Sequence, residues 1–116
     1  MHSKKLATQA EAALEDMKAR DVRVIDVRKL TTVTDYMIVA TGTSDRHLRS
    51  IAGRLVERLT EAGRKPLGVE GEDSGEWVLV DFDDVIVHVM LGRVRDFYKL
   101  ENLWDMQAPA VESAGA

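Results

Sequence analysis

Three stretches of this chain carry residue types that can do chemistry. Gly42-Thr43-Ser44 follows an apolar run and precedes a helical pattern, an arrangement whose free backbone N–H groups could hold a phosphate. Asp81-Phe82-Asp83 sets two carboxylates two residues apart at a strand end, where alternation aims both to one side, as a divalent metal site requires. His88 sits between Val87 and Val89 on the parity of Ile86 and Met90, with no second His or Cys at a ligand spacing. A hydrogen-bonded structural role suits it better than metal ligation or base catalysis.

The first two stretches together are similar to the constellation of nucleotidyltransferases, in which a Gly-Ser turn precedes an Asp-hydrophobic-Asp strand. In that arrangement the carboxylates follow the turn closely, whereas here a helix, a loop and another strand intervene. The simpler reading makes Gly42 to Asp45 a helix cap and the Asp cluster a hairpin end, and leaves a metal-dependent nucleotidyltransferase or hydrolase using Asp81 and Asp83 as the alternative. No serine has the setting of a nucleophile elbow and no phosphate-binding P-loop is present. Absence of cysteine excludes thiol nucleophiles, disulfides and thiolate-bound zinc. The residues call for no cofactor and no metal.

The aromatic residues need another explanation. Trp77 opens a strand beside an acidic loop, and Tyr98 and Lys99 stand in a short helix next to Phe97 and Leu100. Helical spacing lets Phe97, Leu100 and Trp104 share a buried face, which rotates Tyr98 and Lys99 to its margin. Half-exposed Trp and Tyr supply large, rigid contact area with a polar handle, as docking surfaces need. The bland alternative is that both are core pieces.

The elements that must position these residues follow from periodicity. Leu6, Ala10, Ala13, Leu14 and Met17 line one face of a helix over 3–20, with Ser3 able to cap it and Asp16 to pair with Arg20. Residues 22–28 read as a strand, and Tyr36 to Thr41 as a strand buried on both faces and the candidate central strand. Leu48, Ile51, Ala52, Leu55, Leu59 and Ala62 define the most regular helix, capped by Thr43 or Ser44 and stopped at Gly63, with His47 facing solvent at its start. A short strand at 66–69 precedes the loop 70–76. Trp77–Phe82 and Val85–Leu91 then form a hairpin about Asp83-Asp84, followed by a helix over 93–104. The order predicts an α/β fold, a mixed sheet of about five strands flanked by helices. Residues 1–106 are expected to form one domain and 107–116 a flexible tail.

At 116 residues the chain is long enough for a core without disulfides or metals, and 45% hydrophobic with 31% charged residues is an ordinary globular balance. A net charge of −4 argues against a protein that coats nucleic acid. Between Glu70 and Asp84 there are seven carboxylates and no Lys or Arg, while Arg46 to Lys65 holds six basic residues against two acidic ones. One side is therefore acidic and suited to a basic protein partner, or the charges simply solvate two faces. No secretory pattern follows Lys4 and Lys5 and no segment is long enough to span a membrane, so a cytoplasmic address is the expectation.

Three runs taken together resemble the ribosomal silencing factor family, also called Iojap. They are Gly75-Glu76-Trp77-Val78-Leu79-Val80-Asp81-Phe82, Asp84-Val85-Ile86-Val87-His88-Val89-Met90 and Arg95-Asp96-Phe97-Tyr98-Lys99-Leu100-Glu101-Asn102-Leu103-Trp104, with Asp35 to Ser44 upstream. The resemblance covers roughly residues 4–106. It implies a nucleotidyltransferase-like topology without the catalytic residues, which accounts for the partial match above, and a protein that is not an enzyme. It also implies binding to the large ribosomal subunit through ribosomal protein fourteen, where the small subunit must dock. Subunit joining is then blocked and translation falls when nutrients are short. Trp77, Tyr98 and Lys99 match partner-facing positions of the family, and Asp81, His88 and Glu101 match further motif positions. Contact with nucleic acid would be incidental, through nearby ribosomal RNA. Some relatives carry glycine where this chain has Asp83, a residue that tolerates positive φ, so the hairpin is expected to survive. A third reading is a dimerisation module, since an exposed hairpin edge and aromatics can pair with a second copy.

Overall fold

Residues 2–100 and Asn102 are described in the computed structural model of the chain. In order along the chain the elements are α1 (Ser3–Asp16), β1 (Arg20–Asp26), β2 (Tyr36–Gly42), α2 (Asp45–Glu61), β3 (Gly68–Glu70), β4 (Trp77–Asp81), β5 (Val85–Leu91) and α3 (Gly92–Tyr98). The strands form one mixed five-stranded sheet in the order β1-β2-β5-β4-β3. β2 and β5 run parallel, with Tyr36 opposite Val85 and Gly42 opposite Leu91, and the other pairs are antiparallel.

The two near-continuous apolar runs, β2 and β5, lie side by side in the interior, where both faces are covered and alternation is not required. β5 is the middle strand, and β2, expected there, is its neighbour. Parallel pairing decides this, and a local pattern does not encode which buried strand is flanked by which. The Asp84 carbonyl seats the pair by accepting from both the Asp35 and Tyr36 N–H groups, at 3.0 and 3.1 Å.

One face of the sheet is closed by α1 and α2. Leu6, Ala10 and Leu14 of α1 and Leu48, Ile51, Leu55 and Leu59 of α2 pack on Ile38, Ala40, Val78, Val80, Val87 and Val89. Each such buried Leu or Ile contributes about 1.5–3 kcal/mol. The opposite face carries a smaller cluster of Val27, Met37, Val39, Met90 and Val94, and among the described residues the seven-residue α3 and the connection after β1 lie over it. Among these residues, that asymmetry leaves part of the second face open.

Local differences from the expectations have physical causes. Ser3 is a buried first residue of α1 rather than its cap, and the N-cap His2 makes no side-chain capping bond. α1 ends at Asp16 because the chain reverses through Lys18 at φ 61°, so Asp16 pairs with Arg58 of α2 in place of Arg20. His47 is only partly exposed to solvent. Its Nδ1 accepts from the Thr43 N–H at 3.0 Å, so Nε2 carries the proton and donates to the Met17 carbonyl at 2.8 Å, stitching α1 to the start of α2.

Most of the basic run on and after α2 is used inside the molecule. Arg49 bonds Asp45 and the Glu72 carbonyl, Arg54 bonds Glu57, Arg58 bonds Asp16, and Arg64 bonds Asp84 and the Phe82 carbonyl. Arg58 fastens the helix to α1, Arg49 ties it to the acidic loop, Arg64 just beyond its end holds the hairpin, and Arg54 pairs within the helix.

Candidate docking site

The open face is organised by the hairpin. Alternation along β4 sends Val78 and Val80 into the helix-covered core and turns Trp77, Leu79 and Asp81 to the other face. In register, Trp77 stands opposite Met90 and Leu79 opposite His88. The turn is closed by Phe82 N–H to the Val85 carbonyl at 2.9 Å, with Asp83 at φ 76° as expected for a residue that tolerates the left-handed region.

Trp77 is half-buried and its indole N–H donates to Nδ1 of His88 at 3.0 Å. That bond fixes the tautomer, because a nitrogen that accepts cannot carry the proton, and the imidazole N–H is therefore on Nε2. His88 is only 8% exposed, and burial pushes its pKa down to about 4, so the ring is neutral at ordinary pH. His88 is thus hydrogen-bonded to Trp77 and nearly buried.

Above Trp77 lies Tyr98, with ring centroids 5.1 Å apart and planes tilted by 52°, and Phe97 meets Tyr98 edge-on at 5.0 Å. The three rings form an array beside a groove of about 470 Å³ whose rim holds the Glu76 to Arg93 ion pair at 3.0 Å. Tyr98 is 57% exposed and Phe97 79% exposed. Phe97 was expected on the buried face with Leu100 and Trp104, and it is not there. The helix runs only to Tyr98 and Lys99 terminates it in the left-handed conformation at φ 47°, so a spacing argument that continues to residue 104 crosses a break. Lys99 is exposed at that terminus. No glycine or proline marks the break, and nothing else in the sequence announces it. Arg93 and Glu76 are further groove residues that spacing did not single out.

The acidic loop before Trp77 is held in one shape. Gly71 has φ 89°, and a Cβ there would collide with the Trp77 carbonyl oxygen, so the close approach needs glycine. Arg49 reaches over to the Glu72 carbonyl at 2.9 Å, and the Gly75 N–H returns to the Gly71 carbonyl at 3.1 Å. Glu72 and Asp73 are exposed on this held loop, and Glu76, paired with Arg93, lines the aromatic groove.

Of the six positions singled out in sequence, the structure gathers Trp77, His88 and Tyr98 and places Lys99 next to them. Asp81 is at the other end of β4, four residues or about 13 Å from Trp77. Its carboxylate accepts from the Asp83 N–H at 2.8 Å and shapes the turn, while Asp84 is paired with Arg64. Glu101 and Trp104 lie outside the described residues. The Gly42-Thr43-Ser44 turn is likewise occupied by its own helix, because His47 takes the Thr43 N–H and Ser44 Oγ accepts the His47 N–H at 3.0 Å. No group of three or more His, Cys, Asp or Glu is placed to hold a metal among the described residues.

The fold and this face define a small mixed-sheet α/β protein with one helix-covered side and one side presenting aromatic and acidic residues. The chain belongs to the ribosomal silencing factor family: the family model "Ribosomal silencing factor during starvation" matches residues 1–115. The ribosomal silencing factor of Chromobacterium violaceum is 47% identical over 110 residues, covering 95% of this chain and 90% of that protein. A mouse protein named for mitochondrial assembly of the ribosomal large subunit is 35% identical over 98 residues, covering 82% of this chain and 43% of its own length. A crystal structure of a Chromobacterium violaceum protein superposes with a TM-score of 0.89 at 48% identity, over 94% of this chain and 91% of the other. Translation regulation follows from the family, and the relatives' names describe regulatory and assembly roles. Among the described residues no helix is long and apolar enough to cross a membrane.

Proposed function

We propose that this chain silences translation by binding the large ribosomal subunit through ribosomal protein fourteen and occupying the surface on which the small subunit docks. Trp77 and Tyr98 are the aromatic anchors, Lys99 contacts the partner at their edge, and Phe97 joins them. His88 positions Trp77, Asp81 holds the hairpin turn at the far end of the face, and Glu101 extends the contact. The observation that carries this reading is the Trp77–Tyr98–Phe97 array left exposed beside a fixed acidic loop. Exposed aromatics with displayed carboxylates suit a basic protein partner, because the rings supply desolvated contact area and the carboxylates steer a cationic surface.

Blocking by occupancy needs affinity and no bond-breaking chemistry, so the face serves without a cofactor, and nucleic acid is touched only where ribosomal RNA adjoins the protein site. Domain 1–106 suffices for this activity in the cytoplasm, with 107–116 as a tail. Off the ribosome the same array can pair with a second copy, which then competes with the subunit. A sucrose gradient of isolated large and small subunits with and without the protein tests the reading. Co-migration with the large subunit and a smaller joined-ribosome peak support it. Normal joining with the protein left at the top of the gradient overturns it.

A further inference from the structure

An ion pair of the chain's own residues crosses the rim of the aromatic groove. Glu76 and Arg93 meet there at 3.0 Å, with side chains 51% and 68% exposed. A pair this open to water is held weakly, because solvent screens the attraction and two long side chains must be ordered to make it.

The two partners are not fixed alike. Ser74 Oγ accepts from the Glu76 N–H at 3.3 Å, and the Glu76 carbonyl accepts from the Leu91 N–H at 3.0 Å, so the carboxylate stands on pinned backbone. Arg93 stands in the first turn of α3, where unpaired N–H groups disfavour a cation and no acidic residue of the helix offsets it. Its guanidinium bonds Glu76 and, among the described residues, lies over none of the three rings. The groove therefore offers a carboxylate on a fixed base whose resident partner is easily released, beside Trp77, Phe97 and Tyr98 faces that carry no cation.

A ring face attracts a cation, and a carboxylate accepts two parallel N–H bonds from a guanidinium. Arginine meets both demands with one planar group, whereas the lysine ammonium is compact, strongly hydrated and unable to form the fork. At about 470 Å³ the groove has room for such a side chain.

We propose that the groove seats an arginine side chain of the docking partner and that Arg93 is its removable plug: the incoming guanidinium takes Glu76 from Arg93 and packs against the rings. Arg93 thus opposes binding by competing for the carboxylate, and Glu76 sets a preference for arginine over lysine. This rests on the reading of the face as a docking surface and names the side chain that the surface takes.

NMR on the isotope-labelled full-length chain, titrated with a blocked Gly-Arg-Gly peptide and with its Gly-Lys-Gly counterpart, tests the seat apart from the ribosome. Shifts of the Trp77 indole N–H and the Arg93 Nε–H are expected, with the arginine peptide bound about fivefold more tightly than the lysine peptide. Arg93→Ala should tighten the arginine peptide about twofold to fivefold, and Glu76→Gln should weaken it about fivefold and erase the preference over lysine. With Glu76→Gln in place, adding Arg93→Ala should change nothing, because no carboxylate is left to compete for. Equal affinity for the two peptides, unchanged or weaker binding in Arg93→Ala, or shifts that miss Trp77 overturn the proposal. Co-sedimentation of the parent chain with large subunits is measured in parallel. Pelleting without a peptide seat overturns this proposal alone, and a seat with no pelleting overturns the docking reading and leaves the seat standing.

Discussion

Lowering the pH from 7 to 5 should destabilise this protein through His88 alone by about 2 kcal/mol. The residue is 8% exposed, and burial holds its pKa at about 4 against an ordinary value of 6.5. Above 6.5 the imidazole is neutral in folded and unfolded chains and stability does not depend on it. Between 6.5 and 4 the unfolded chain takes up a proton that the folded chain refuses, so stability falls as pH falls, by about 1.4 kcal/mol per unit. The pH 5 point captures 1.5 of those units, and the loss levels off near 3 kcal/mol below pH 4. Asp26, held down to about 2 by the Arg28 guanidinium, titrates below this window. The control is His88→Gln, which cannot titrate yet offers the Trp77 indole an amide oxygen. Urea unfolding of both proteins at pH 7 and 5 isolates the histidine, because other groups cancel in the difference. Equal pH dependence in the two proteins, or a His88 midpoint near 6.5 by NMR, would refute the burial argument.

Phe97→Ala should leave stability within about 0.5 kcal/mol, since the ring is 79% exposed, while weakening large-subunit binding by about 1 kcal/mol or more, roughly fivefold; urea melts and a binding titration read the two effects separately. Gly71→Ala forces a side chain into a positive-φ site against the Trp77 carbonyl oxygen and should cost about 1–3 kcal/mol, measured by denaturant unfolding, with a drop in subunit binding as the acidic loop shifts. Unchanged stability in Gly71→Ala would mean that the loop has room to rearrange.

Much of this fold can be read from short-range patterns. The α2 face from Leu48 to Leu59, the Ser44 cap and the hairpin about Asp83 all follow from spacings within one or two turns of chain. What escapes such reading is long-range or unmarked. The Arg49 bond to Glu72 spans 23 residues and the Arg58 bond to Asp16 spans 42, so the basic run looks like a free surface until the fold folds it inward. His47 finds Met17 thirty residues away, and the place of β5 at the sheet centre depends on a parallel partner. In the site, Trp77 and Tyr98 were legible because amphipathic aromatics flank an acidic loop. Phe97 was misplaced because the left-handed Lys99 stops α3 one residue after Tyr98.

The central claim is that the Trp77 face docks on the large subunit. Trp77→Glu replaces a half-buried aromatic anchor with a carboxylate that the contact would have to desolvate unpaired. Its co-sedimentation with isolated large subunits, measured beside the parent chain after circular dichroism has verified that both are folded, is the most direct test. The account predicts that the parent pellets with the subunit and the folded variant stays in the supernatant. A folded Trp77→Glu protein that co-sediments like the parent would contradict it.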